Sequence, residues 1–444
     1  MSIALDKKRT AADTRRTTAS RRRLQALKKQ AGTALIAGLF LLGMVLAAGF
    51  DVSIPSVMQN FSYDIIIILV SMELFTNLVG ETNIMPYLAV RVVALSRANK
   101  RFCLVLFGAI MFLISACMNN ITAVLMLLPV IFVYLKSIDA DRRYVAMLFS
   151  CILVMSNLGG AATPIGDFPA VIILSSNITT FTGYLSHAFL FFAATALLIL
   201  AVFAKRLSAD AGQNEANALA VVNLRSQYKN MVVRYDILVR LAVVFACMLV
   251  CWCVIPQSVM PPELIAALGY VICAMLCAGR GVNIVQTIDL RSVIQIASFL
   301  FLAQVIAETG VLNVLVETLC ATITEPKILI LAIMLITSLL AGAFSAGPAA
   351  AVMMPVIVDL AAGPLAAQSD WIAVAYAAAI CAGSSLFMWS ASSGIMLSSK
   401  VRGAAIKDAQ GAQIFWGVGE YLRYGLLCYA LQISTALVLI VLAC

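Results

Sequence analysis

Apolar positions along this chain come in uninterrupted runs, not in the alternation of half-buried strands. Stretches of about 17–20 residues with almost no charge recur from residue 31 to residue 442, and that is the length a helix needs to cross the hydrocarbon core of a bilayer. The short alternating segments of an outer-membrane barrel are absent. The pattern predicts helices over 31–50 and 64–80, then a loop carrying Arg91, Arg97, Lys100 and Arg101, then a long apolar stretch over 102–135. A crossing over 144–176 follows, interrupted by Gly159, Gly160, Pro164, Gly166 and Pro169, and a return over 184–204. The polar, basic stretch 205–236 reads as a linker between two halves, 31–204 and 237–444. The second half predicts helices over 237–255, 263–279 and 292–308 and a second long apolar stretch over 328–361. After these come a segment 371–399, broken between Gly383 and Gly394, and a last helix near 424–442.

Basic residues orient these elements, because Lys and Arg collect on the cytoplasmic side. Ten of the thirty basic residues precede Gln30, so residues 1–30 read as a basic cytoplasmic tail that can also touch anionic lipid. The stretch 102–135 has basic residues at both ends, with Lys136, Arg142 and Arg143 at the far one, although each half is only about 17 residues long. It reads as a re-entrant hairpin that opens to the cytoplasm, with its tip at Asn119-Asn120. The stretch 328–361 is flanked by Lys327 alone and reads as a hairpin opening outward. On this layout Lys327 is the one basic residue that faces out, the N-terminus is cytoplasmic and the C-terminus extracytoplasmic. The whole reads as a multi-pass protein of an inner membrane.

Composition removes the competing classes. Apolar residues make up 63% of the chain and charged residues 11%, against about 45–50% and 25% in soluble domains. The net charge of +9 comes mainly from the tail, so nucleic acid is not an expected partner; the lipid bilayer is. The twelve cysteines fall mostly in apolar segments, and Cys251 and Cys253 lack the spacing of a zinc or redox pair. His187 is the only histidine, which excludes an imidazole metal cluster. Neither Gly-x-Ser-x-Gly nor a His-Glu motif is present, which disfavours a membrane enzyme. A channel would need a continuous polar lining, and hydroxyls concentrate only at the helix breaks. No cofactor is expected beyond a coupling Na+ or H+.

The two halves repeat. Asn119-Asn120-Ile121-Thr122 through Pro129 and Ile131 aligns with Ser345-Ala346-Gly347-Pro348 through Pro355 and Ile357. Upstream, Gly80-Glu81-Thr82 aligns with Ala307-Glu308-Thr309, and downstream Gly160–Ser176 aligns with Gly383–Ser399. With one hairpin opening inward and the other outward, the fold expected is all-α, with about eleven membrane helices in two inverted repeats. Each repeat would hold a re-entrant hairpin and a broken helix. Irregular backbone survives at membrane depth only where protein or water covers it, and inverted repeats with broken helices are a recurring build of secondary transporters.

Single residues then acquire candidate chemistry. A carboxylate inside an apolar segment, as at Asp167, costs at least ~2.5 kcal/mol to insert and so marks an ion path or proton relay. It can equally cap the half-helix that starts at Phe168. Glu73, in the middle of 64–80, reads as a proton site or as one end of an interhelical hydrogen bond. Ser384, Ser385, Ser390, Ser392 and Ser393 bring hydroxyls to the second break, which suits contact with a transported substrate, as do Ser345 and Gly347 at the second tip.

Two stretches resemble the ion transporter superfamily, which includes arsenite permeases, D-type sodium/proton antiporters, citrate carriers and divalent-anion/sodium symporters. They are Ser115 through Asn119-Asn120-Ile-Thr122 to Pro129, and Ser156-Asn157-Leu-Gly159-Gly160-Ala-Ala-Thr163-Pro164-Ile-Gly166-Asp167-Phe-Pro169. Phe387-Met388 followed by Ser390–Gly394 is similar to the symporters' second helix break. The resemblance implies a scaffold and a transport domain, a homodimer and an elevator movement. It also implies a coupling cation at Asn119, Asn120, Thr122, Asn157, Thr163 and Asp167. The second tip departs from the pattern, since Ser345-Ala346-Gly347-Pro348 offers few side-chain ligands for a second cation. The expected function is secondary transport of a small anion or oxyanion (arsenite-, carboxylate- or sulfate-like) coupled to Na+ or H+. A Na+/H+ antiporter is the alternative.

Overall fold

A computed structural model describes residue 34 and residues 36–138, 140–207, 214–282, 290–363, 366–391, 393–408 and 411–443. The basic tail, Ser392 and Cys444 lie outside the described residues. The described chain is helical throughout, and its one β-bridge pairs Lys407 with Gln413. Seven of its helices are long and apolar enough to cross a membrane, and several shorter apolar helices accompany them.

Besides a short helical segment, Ile54–Gln59, the first half comprises α1 (Ile36–Gly49), α2 (Tyr63–Gly80), α3 (Ile84–Leu95), α4 (Lys100–Ser115), α5 (Asn120–Ser137), α6 (Arg142–Ala162), α7 (Phe168–Ser175) and α8 (Phe181–Arg206). Within the 205–236 stretch lies α9 (Asn214–Gln227), whose Leu224 is buried. Then follow α10 (Tyr235–Val254) and α11 (Pro262–Cys277). The second half continues with α12 (Leu290–Glu308), α13 (Val311–Thr322), α14 (Pro326–Ala343), α15 (Ala346–Ala362), α16 (Ser369–Ser384), α17 (Gly394–Gly403) and α18 (Val418–Ala443). From α2 to α8 and from α12 to α18 the helices follow the same order, long and short in the same places.

Two features recur with that order. The first hairpin arm packs on the first arm of the broken helix in each half, α4 on α6 and α14 on α16. Glycine permits both approaches: a Cβ on Gly159 would strike the Phe112 carbonyl, and one on Gly383 would strike the Ser338 carbonyl. The stretch between 80 and 101, expected to be a loop, contains α3. It starts after Asn83 in the left-handed region (φ 59°), and α13 likewise starts after Gly310 (φ 72°). Arg91 breaks an otherwise apolar run there, which is why the sequence reads as a loop. Asn can hold the left-handed turn that reverses the chain.

The core sits at the broken helices. The α6 window is 94% buried, whereas that of α10 is 28% buried. So α6 is wrapped by protein, and α10 turns Val239, Val243, Val250 and Val254 outward, as a lipid-facing helix would. Cys103, Cys151, Cys273, Cys277, Cys381 and Cys428 are buried free thiols, while Cys117, Cys247 and Cys253 are exposed.

Candidate functional site

The chain turns between α4 and α5 and again between α14 and α15. Asn119 stands between α4 and α5 and caps α5, its side-chain oxygen accepting from the Ile121 N–H at 2.9 Å. Ser345 stands between α14 and α15 and makes no side-chain cap. Its hydroxyl reaches the Ser390 carbonyl at 3.3 Å, and the Ala346 N–H donates to the same carbonyl at 3.1 Å. The second tip is thus fastened to the second break through backbone.

The first tip is fastened to the first break through side chains. α6 ends at Ala162 and the chain resumes as α7 at Phe168, with Asp167 as cap. Asp167 Oδ1 accepts from the Phe168 N–H at 2.9 Å, and Oδ2 accepts from Asn120 Nδ2 at 2.7 Å. Asn120 is fully buried, and its Oδ1 accepts from the Ser115 hydroxyl, which also lies 2.8 Å from the Ser156 carbonyl. Thr163 donates to the Ala116 carbonyl at 2.5 Å and pins the break to the end of α4. Two glycines make room for this: a Cβ on Gly160 would sit 2.6 Å from Asn120 Oδ1 and 2.8 Å from the Asp167 Cβ, and one on Gly166 would sit 2.7 Å from the Gly160 carbonyl.

The tips meet at a cavity of about 320 Å³. Asn119, Thr122, Asp167, Ser345 and Gly347 all line it, with Phe168 from α7, Glu73 from α2 and Gln295 from α12. Asn157, Asp167 and Ser384 line a neighbouring void of about 20 Å³, large enough for one water or a bare ion. Asn157 also donates to Ser385 Oγ at 3.2 Å, joining α6 to the end of α16. Three helix N-termini, those of α5, α7 and α15, therefore face one cavity that also holds a carboxylate. Such ends carry partial positive charge and exposed N–H donors, so they favour an anion, while Asp167 favours a cation or a proton.

The remaining expected residues lie elsewhere. Ser385, Ser390 and Ser393 are fully buried and line neither space. Ser390 Oγ sits within 3.1 Å of the Gly383, Ser384 and Phe387 carbonyls, bracing the second break, and Ser393 Oγ has no hydrogen-bond partner. Gln295 did not emerge from the sequence. Its signal was an amide, one of two with Gln304, within the apolar 292–308 run. Among the described residues no group of three or more His, Cys, Asp or Glu could hold a metal ion.

The chain is similar to known transporters. The family model described as citrate transporter, CitMHS, matches residues 26–381. An uncharacterised transporter of Mycobacterium tuberculosis is 23% identical over 386 residues, covering 85% of each chain. A 46 kDa membrane protein of Mycobacterium leprae is 23% identical over 383 residues, with 85% of each covered. The human P protein is 28% identical over 162 residues, or 35% of this chain and 19% of that protein. Among solved structures, the YdaH transporter of Alcanivorax borkumensis superposes with a TM-score of 0.51 at 15% identity, covering 92% of this chain and 96% of that one. That likeness is one of fold.

Proposed function

The chain belongs to the citrate transporter (CitMHS) family, and from that membership we propose that it carries a small carboxylate anion of the citrate type, coupled to Na+ or H+ at Asp167. The observation that carries this reading is the shared cavity. The uncapped start of α15 faces it from one side and the Asp167 carboxylate, held by Asn120, from the other. An anion docked on helix N-termini beside a carboxylate is repelled unless a cation or proton neutralises that carboxylate, so the two bind together. That mutual dependence is what couples the fluxes.

Alternating access follows from the same frame. Along the cavity wall α2 and α12, which hold corresponding places in the two halves, run in opposite directions, and this supports inverted repeats. The elements that carry the site, α5, α7 and α15, then move as a body against α2 and α12 in an elevator-type step. In this reading the protein sits in an inner membrane as a homodimer, with its N-terminus cytoplasmic and its C-terminus outside.

Uptake of radiolabelled citrate into proteoliposomes, driven separately by an imposed Na+ or H+ gradient, tests the proposal. Accumulation that needs one of the gradients and is lost in Asp167→Asn is expected. Sodium-driven proton movement with no organic anion present, and no citrate uptake, would instead make the protein an antiporter.

A further inference from the structure

Four of the five helices around the tip cavity, α2, α7, α12 and α15, run on to a second cavity of about the same size, 320 Å³. Along α7, α12 and α15 the lining passes from early residues at the tip cavity (Phe168, Gln295, Ala346) to late ones at the second (Ser175, Gln304, Asp359). Along α2 it passes the other way, from Glu73 to Ser62. The two spaces therefore lie in succession along one bundle. Their linings adjoin at Ile65 and Ile66 on α2 and at Phe299 and Leu300 on α12, an apolar belt between two polar ends.

The same helices present opposite ends to the two spaces. The starts of α7 and α15 face the tip cavity, and their last turns face the second one, where partial negative charge collects. Side chains there add to it independently. Asp359 is exposed on α15 and lines the second cavity. Ser175 Oγ, also in the lining, is a buried atom with no hydrogen-bond partner, and Gln304 and Ser62 supply further oxygens. Lys and Arg are absent from this lining among the described residues. Oxygen donors with one carboxylate match a hard cation of single charge.

We propose that the second cavity holds one monovalent cation at Asp359 and Ser175, apart from the site at Asp167. This rests on, and deepens, the cation-coupled reading: a cation waits at one end of the bundle while the anion is drawn to the other. Asp359 sets the charge of this end, and Ser175 marks its depth.

The test is charge-selective labelling of the full chain in proteoliposomes, with each modified thiol assigned by peptide mass spectrometry so that native cysteines do not interfere. Ser175→Cys is reacted with a cationic and an anionic methanethiosulfonate, each rate normalised to that of a free thiol. The cationic reagent is expected to react faster by ~10-fold, the scale on which a charged cleft concentrates a counter-ion. Na+ in place of choline should slow the reaction, and Asp359→Asn should remove both effects. Equal rates, an anionic preference or no modification of Ser175→Cys would overturn the proposal. If that variant does not fold, Ser176→Cys, in the same lining, gives the same readout. Labelling needs no transport, so loss of citrate uptake with the charge preference intact would count against the carrier reading alone.

Discussion

The first and second hairpin tips hold corresponding places in the two halves, yet they are built from different materials. The first is a side-chain assembly in which Asn120 bridges Ser115 and Asp167 and Asn119 caps its own helix. The second is a backbone assembly. Ser345 and Ala346 both lean on the Ser390 carbonyl, and the start of α15 is left without a side-chain cap. A repeated fold has thus been given two chemistries. One tip is fastened to a carboxylate, and the other leaves bare N–H donors at the start of α15; in the proposed cycle the first serves the cation and the second the anion. The difference teaches that the symmetry belongs to the backbone, while the division of labour belongs to a few side chains.

The comparison breaks most sharply at Asp167. Asp167→Asn keeps the cap and the shape but removes the charge. Losing a charge-assisted contact of ~3 kcal/mol should lower cation-coupled uptake by ~100-fold with little loss of folded protein, as read by transport beside size-exclusion yield. Gly160→Ala comes next, since its methyl would meet Asn120 and Asp167 at once. Overpacking there should cost ~1–3 kcal/mol, seen as a lower melting temperature together with weaker cation protection. Asn157→Ala and Ser385→Ala each remove one side of a bond between the two halves. Each should cost ~1 kcal/mol in stability, and the double variant should cost less than the sum. Gly347→Ala should have the smallest effect, because its methyl meets only the Phe168 ring at 2.9 Å, which can turn aside. A modest rise in the citrate concentration for half-maximal uptake, with the cation dependence unchanged, would sharpen the assignment of the second tip to the anion. A change in cation dependence instead would blur the two roles.

Much of this was legible in the sequence for physical reasons. Gly and Pro mark backbone that cannot continue as helix, so both breaks were visible: α6 stops at Ala162 and α16 at Ser384. Asn and Asp carry polar groups that an apolar run does not tolerate without partners, so the pairing of Asn120 with Asp167 had a signal at each end. The serines of the second break are divided by the structure: Ser384 lines the small void, and others brace the backbone. Ser390 spends its hydroxyl on backbone carbonyls, and no side-chain pattern reveals which carbonyls a broken helix leaves open. Helix α3 was hidden by Arg91, and α13 by its shortness. The second cavity had no signal of its own, since its lining comes from four separate helices whose packing no single stretch records.

Coupling of the kind proposed requires the two tips and Asp167 to share one space. A cysteine pair, Asn119→Cys with Ser345→Cys, treated with a short bifunctional thiol reagent in the full chain, tests it most directly when the linked peptides are identified by mass spectrometry. A cross-link between the two tips is expected, one that stops citrate uptake and forms more slowly when citrate and the coupling cation are present. Tips that label singly and never link would contradict it.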